Sequence, residues 1–235
     1  EGGSFGTYAG AARLGGFTQM LDYVVSGSYY RSDGNVVARD GSQEIGSESL
    51  AASAKLILNP TNGLSFTAVG RYSALDADAP TQSFFGPDFG FVVDGSDTSA
   101  TDSLHGLLKG ELELLDGNWT HAATLQGVQV KTASANSGVE NFKTEGARRK
   151  LSYASTYFYS SDATDQSITL ALDNERESFR NVPIGTPGPT NSRRSLTTTG
   201  FVAEYSLNLN DSFGLGAAYR HDWNSGFRDA DTYRV

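Results

Sequence analysis

Between Leu196 and Trp223 the sequence alternates apolar and polar residues through two arms joined by a polar turn. Phe201, Ala203, Tyr205, Leu207 and Leu209 share one face, and Glu204, Ser206 and Asn208 the other. After the turn at Asn210, Asp211 and Ser212, Phe213, Leu215, Ala217 and Tyr219 lie opposite Gly214, Gly216, Arg220 and Asp222. A period of two is the signature of a β-strand with one apolar face. Each arm runs about ten residues or more, beyond the five or six common in soluble sheets. That length is close to the roughly 9–11 residues a tilted strand needs to cross a bilayer. The pair therefore reads as a membrane hairpin.

The same pattern recurs along the chain. It predicts strands near 4–15, 21–32, 49–58, 64–75, 104–115, 119–131, 150–159, 166–179, 196–209 and 213–224, with another starting near 231. The connections alternate in length. Short ones fall near 16–20, 59–63, 116–118, 160–165 and 210–212, and long ones near 33–48, 76–103, 132–149 and 180–195. Tight turns at one end and long loops at the other describe an up-and-down transmembrane β-barrel segment of ten or eleven strands, all-β and antiparallel. No window approaches the eighteen apolar residues of a membrane helix, which leaves a barrel untouched because its strands are only half apolar. A net charge of -9 argues against a nucleic-acid partner. The absence of cysteine excludes disulfide scaffolds and thiolate metal sites. The sequence opens at Glu1 without a signal peptide and stops at Val235 inside an alternating segment, so residues 1–235 are expected to be one internal part of a longer barrel.

Charge placement sharpens this reading, because Lys or Arg on a lipid face costs about 2–4 kcal/mol at the bilayer midplane. With the apolar side of each strand set outward, Arg13, Asp22, Lys55, Arg71, Lys109, Glu111, Glu113, Lys150, Asp173, Glu175, Glu177, Glu204, Arg220 and Asp222 all fall inward. Only Arg31 and Arg176 fall outward, near the long-loop ends, while the strand at 119–131 leaves its face ambiguous. Tyr23 and Tyr29, Phe66 and Tyr72, Tyr153 and Tyr159, and Phe213 and Tyr219 form outward pairs six residues apart. At about 3.3 Å per residue each pair spans roughly 20 Å, near the apolar band between two aromatic girdles.

A set of short motifs runs along most of the chain. It comprises Gly3-Ser4-Phe5-Gly6-Thr7-Tyr8, Asp22-Tyr23 leading to Tyr29-Tyr30-Arg31-Ser32-Asp33-Gly34, and Asn59-Pro60-Thr61-Asn62. Further on come Arg148-Arg149-Lys150-Leu151-Ser152-Tyr153, Tyr219-Arg220-His221-Asp222, Phe227 and Thr232-Tyr233-Arg234. In this order the sequence resembles the TonB-dependent receptors of the bacterial outer membrane, most closely the vitamin B12 receptor branch. The resemblance implies a barrel of about 22 strands whose lumen holds a plug domain. The plug and the C-terminal half of the barrel would lie outside this sequence. It also implies uptake of a scarce nutrient, a cobalamin or a ferric siderophore, energised through TonB by way of the plug. Outer-membrane lipid and lipopolysaccharide are implied as surroundings. Some B12 receptors hold calcium in loops corresponding to 33–48 and 76–103, and calcium takes six to eight oxygen ligands. Asp33, Asp40, Glu44, Glu48, Asp76 and Asp78 are available, but Glu44-Ile45-Gly46 replaces the family's Asp-x-Asp pair. Neither a resident metal nor another cofactor is therefore expected.

The loop at 76–103 carries Phe84, Phe85, Phe89 and Phe91 outside any predicted strand, and exposed aromatics on a long loop suit a planar or apolar ligand. The loop at 180–195, with three prolines, presents Arg193 and Arg194, which could meet an anionic substrate or lipopolysaccharide phosphate. These six residues are the candidate ligand contacts. An outer-membrane enzyme is the rival reading and would need a histidine poised by a carboxylate. His105 points inward, His121 lies near a short turn, and His221 adjoins Asp222 across the strand, on the opposite face. No catalytic residues are expected. Two further alternatives are a passive porin-like or autotransporter barrel, and a soluble β-rich adhesin whose apolar face a second sheet would cover.

Overall fold

In a computed structural model, which describes residues 1–183, 193–210 and 212–235, the chain forms one twelve-stranded antiparallel sheet. The strands are β1 (Gly2–Gly3), β2 (Thr7–Phe17), β3 (Leu21–Val36), β4 (Glu44–Thr61), β5 (Leu64–Gln82), β6 (Val92–Leu114), β7 (Trp119–Asn136), β8 (Val139–Ser160), β9 (Thr164–Pro183), β10 (Arg194–Leu209), β11 (Phe213–Asn224) and β12 (Ala230–Arg234). Every strand pairs with its neighbours in sequence, without a crossover. The antiparallel up-and-down meander expected from the alternation is the fold observed.

Most strands are longer than predicted, chiefly at the long-loop end. β6 begins at Val92 rather than near 104, and β8 at Val139 rather than near 150. Much of the expected loop at 132–149 is thus a hairpin closed at Ser137 and Gly138, both at positive φ (51° and 73°). Such a two-residue turn matches the twist of its flanking strands. The expected loop at 76–103 narrows to a tip at 83–91, and that at 33–48 to 37–43. Most of the loop expected at 180–195 lies outside the described residues, as does Asp211 of the last turn. The strand expected at 4–15 starts at Thr7, because Phe5 and Gly6 turn at φ of 61° and 60° to pair β1 with β2.

Pro60 and Pro80 sit where a ladder is already interrupted. The register slips between Leu58 and Thr61, around Pro60, and between Ala79 and Thr81, around Pro80. A residue without an N–H is tolerated at such bulges. Two more slips, between Ser32 and Asn35 and between Ser134 and Ala135, lie at long-loop ends; elsewhere the ladders are regular, so directly opposed residues share a face and one strand fixes the sidedness of the next.

That propagation assigns every strand. The outward set runs Tyr23, Leu56, Ala68, Leu108, Leu125 and Leu151 across six strands. The ambiguous strand β7 is thereby resolved, with His121, Ala123 and Leu125 outward and Thr120, Ala122 and Thr124 inward. The fourteen charged residues placed inward by sequence share one face in the structure. The outward count needs correction, because the longer strands add Glu48, Asp76, Asp78, Asp102, Lys131, Lys143, Glu145, Arg149 and Arg180 to Arg31 and Arg176, and β12 adds Asp231. All of these stand toward the long-loop ends, clear of the Leu-rich stretch. Among the described residues no hydrophobic side chain is buried, and no second sheet covers the outward Leu and Tyr residues.

Candidate functional site

The tip between β5 and β6 is built by its own backbone. The Ser83 N–H donates to the Phe91 carbonyl at 3.0 Å and the Gly90 N–H to the Ser83 carbonyl at 2.8 Å, while a single 3-10 turn spans Gly86–Asp88. Gly86 and Gly90 take φ of 70° and 84°, a region that costs glycine nothing. The turn throws the aromatics outward. Phe84, Phe85, Phe89 and Phe91 are 62%, 87%, 67% and 50% exposed. Four apolar rings left this open on one tip form a surface suited to contact with something else.

The tip is braced from the side by the neighbouring loop at 37–43. The Asp94 carboxylate accepts from the Ser42 N–H at 2.8 Å, the Ser42 hydroxyl at 3.1 Å and the Gln43 N–H at 3.2 Å. Gln43 in turn accepts from the Gly95 N–H at 3.0 Å, and the Arg39 guanidinium lies 5.8 Å from the centre of the Phe91 ring. The hydrogen bonds from the Ser42 and Gln43 backbone hold the Asp94 carboxyl below its ordinary range, against a smaller opposing effect of desolvation. These contacts make two loops one unit, a pairing that periodicity does not reveal.

Arg193 and Arg194 do not form one patch. Arg194 opposes Phe179 on the inward face, whereas Arg193, one residue earlier, reaches the outward Glu145 at 3.2 Å. Neither meets the Phe84 to Phe91 tip in any hydrogen bond or ion pair among the described residues.

The acids considered for calcium do converge. Asp33, Glu44, Glu48, Asp76 and Asp78 line a cavity of about 540 Å³ beside Arg31. Asp33 engages Arg31 at 3.2 Å, and Asp78 accepts from the Gly46 N–H at 3.0 Å. Among the described residues no three acidic or histidine side chains are placed to hold one metal ion.

Sequence reading missed the ion ladder on the inward wall. Lys150 of β8 lies 3.4 Å from Asp173 of β9, and Arg148 lies 2.7 Å from Glu175 and 3.4 Å from Glu177. Arg220 of β11 spans the whole of β10 to reach Asp173 at 3.0 Å and also binds Asp222 at 2.5 Å. Gly200, one of the few buried residues, opens that path, since a Cβ there would stand 2.4 Å from the Arg220 guanidinium. The available signal was an inward glycine flanked by Asp173 and Asp222 at the same level.

His221 meets a carboxylate, though not that of its sequence neighbour. His221 bonds Asp231 of the next strand at 2.7 Å rather than Asp222, and Tyr219 donates to the same Asp231 oxygen at 2.6 Å. His121 pairs with the Tyr153 hydroxyl at 2.7 Å beside Trp119. Among the described residues no serine or threonine hydroxyl bonds a histidine.

No family model and no curated protein matches the sequence. Solved structures do match its fold. The siderophore receptor PirA from Pseudomonas aeruginosa aligns at a TM-score of 0.68 with 13% identity, over 96% of this chain and 35% of that one. The RagAB peptide importer aligns at 0.66 with 11% identity, over 97% and 33%. The ferripyoverdine receptor of the Pseudomonas aeruginosa outer membrane, bound to ferripyoverdine, aligns at 0.63 with 9% identity, over 99% and 37%. The chain therefore shares the fold of the strand meander in these structures. It is the fold the resemblance to TonB-dependent receptors implied, and the chain spans about a third of the length of these structures.

Proposed function

We propose that the chain is wall and outer loops of a TonB-dependent receptor in the bacterial outer membrane, serving energised uptake of a scarce nutrient. The observation that carries this is the sidedness of a single uncovered sheet. Charge is kept off the Leu-rich part of one face, and an ion ladder lines the other. A soluble adhesin would need a second sheet over the apolar face, and the fold offers none among the described residues. The likeness to siderophore receptors supports a ferric siderophore as cargo in preference to a cobalamin. In this reading Phe84, Phe85, Phe89 and Phe91 are the first contact with the ligand, their rings stacking on its planar iron-binding groups. Arg194, on the inward face, would attract an anionic chelate, while Arg193 serves Glu145 and the outer rim. TonB would act through the plug, and outer-membrane lipid would surround the outward face.

The likeness to a peptide importer supports a second reading, in which the same aromatic tip receives an oligopeptide. Uptake by cells expressing the whole receptor tests both, with radiolabelled ferric siderophores, cobalamin and a peptide pool supplied in turn. TonB-dependent accumulation of one of them is expected. Replacing Phe84 and Phe85 with alanine should weaken binding about tenfold, because each stacked ring contributes on the order of 0.5–1.5 kcal/mol. Accumulation that persists without TonB would point to a passive channel instead.

A further inference from the structure

On β9 the inward face carries Asp173, Glu175 and Glu177 and then changes character at Phe179, which is 54% exposed. Two adjacent rows of the ladder meet there. The row nearer the long loops runs Val130, Gly146, Phe179 and Arg194, and the row below it Val128, Arg148, Glu177 and Leu196. All eight residues line one cavity of about 510 Å³, within the usual size of a small-molecule site. An apolar group at the end of a charged run is a local break of pattern, and such breaks concentrate at functional sites.

Gly146 is the floor of a notch in this wall. Its ladder to Val130 and Phe179 is regular and its φ is not positive, so neither a bulge nor a turn requires glycine there. A Cβ at Gly146 would meet nothing within 4 Å, so packing does not require it either. Glycine inside a strand weakens it, and close approach of a ligand is the remaining reason to keep one. Val130 and Phe179 stand on either side of the notch. Leu196 closes the β10 end with the turn after β11 against it, since a Cβ on Gly226 would lie 2.7 Å from Leu196 Cδ1.

The charges around the notch are unequal. Arg148 is engaged by Glu175 at 2.7 Å and Glu177 at 3.4 Å. Among the described residues Arg194 makes no ion pair. One uncommitted cation beside two acids suits a singly charged anion over a doubly charged one. An arginine on this face is long enough to cross a strand, as Arg220 does to reach Asp173. Arg194 can therefore hold an anion above β9, about 4.8 Å from the line of Gly146. That is little more than one residue, whose Cα atoms are about 3.8 Å apart.

We infer that the notch over Gly146 takes an apolar side group and that Arg194 takes the carboxylate next to it, through the planar fork of its guanidinium. The C-terminal apolar residue of an oligopeptide offers this chemistry, and so does an aryl or alkyl acid within a chelator. The inference rests on the transport reading, in which the inward face is the lumen wall, and it gives Arg194 the apolar companions that set which anions it accepts.

The test is equilibrium dialysis of the whole receptor in mild detergent against radiolabelled glycyl-glycyl-phenylalanine and, separately, radiolabelled phenylacetate, each compared with its amide. At least one acid should bind saturably, and its amide at least tenfold more weakly. R194Q should hold acid and amide alike. G146V, which fills the notch where a side chain has room, should weaken the acid at least tenfold, while R13Q, on the same face away from the notch, should bind as the wild type does. Binding of phenylacetate supports the acid of a chelator, and binding of the tripeptide alone supports a peptide end. No saturable binding of either acid, equal binding of acid and amide, or wild-type binding by R194Q or by G146V overturns the site. TonB-dependent uptake by cells separates the two readings. Accumulation of a cargo without binding at the notch removes the site and leaves transport, and binding without such accumulation removes transport and leaves only a binding site.

Discussion

Gly200 decides whether the inward ion ladder exists across β10, and its replacement by alanine gives a result whose sign depends on Arg220. A Cβ at this position would lie 2.4 Å from Arg220 Nη2, 2.8 Å from its Cζ and 2.9 Å from Asp173 Oδ2. The guanidinium must then withdraw from Asp173. A hydrogen bond to a charged group contributes about 1.5–3 kcal/mol, and an exposed pair only about 0–1. The Asp173 side chain is 11% exposed and that of Arg220 33%, so a loss of about 2 kcal/mol is expected. Against this, alanine in a strand is favoured over glycine by roughly 0.5–1 kcal/mol. The net cost of G200A is therefore about 1–1.5 kcal/mol. In an R220M background nothing is left to displace except the Asp173 carboxylate, and the same substitution should become neutral or stabilising by about 0.5 kcal/mol. The assay is the urea midpoint of the whole barrel, read by the gel-mobility difference between folded and unfolded forms, across the four-member cycle. An equal cost for G200A in both backgrounds would refute the bridge.

The two faces can be compared at adjacent residues. L170R places a cation on the outward Leu-rich face and should cost about 2–4 kcal/mol or block membrane assembly, whereas A171R, one residue along and inward, should assemble; equal tolerance would argue against lipid on the outward side. D94N should free the loop at 37–43, seen as faster proteolysis there than in the wild type. Because the Asp94 carboxyl titrates below its ordinary value, the wild-type bracing is complete above the ordinary aspartate range and is lost as pH falls through the lowered value. The difference between wild type and D94N should then shrink on acidification, and a constant difference would show that the charge is irrelevant. S137P, placed at a φ of 51° that proline cannot adopt, should open the 137–138 hairpin and raise amide exchange at its tip, leaving the membrane part of β7 and β8 protected.

The central parts of the strands were legible because each has one apolar face and one face that carries charge. Tyr153, Leu151, Leu170 and Leu172 against Lys150, Ser152, Ala171 and Asp173 leave no doubt of sidedness. Above that band the contrast disappears. Residues such as Thr132, Ala133, Ser134 and Ala135 pair in a regular ladder, yet both faces are polar or small, so alternation carries no signal. The Ser137-Gly138 dipeptide was the local cue for that hairpin. The exposed aromatic tip at Phe84 to Phe91 was found by composition, since rings outside a strand stand out. Its bracing by Asp94 was not, because Ser42 and Asp94 lie far apart in the chain and meet only through the register of three strands. The apparent partnership of Arg193 with Arg194 failed for a simple reason. Consecutive residues beside a strand start point to opposite faces.

Because each strand pairs only with its predecessor and successor, the wall has no element whose place depends on a distant one. Removing or duplicating one hairpin leaves every remaining pair antiparallel and every face pointing as before. Such a wall can change its circumference in steps of two strands, and can exchange a loop with its hairpin as a cassette, without rewriting the rest of the sequence. Sheets of different strand number can diverge along that route while keeping the same pattern of apolar and charged faces.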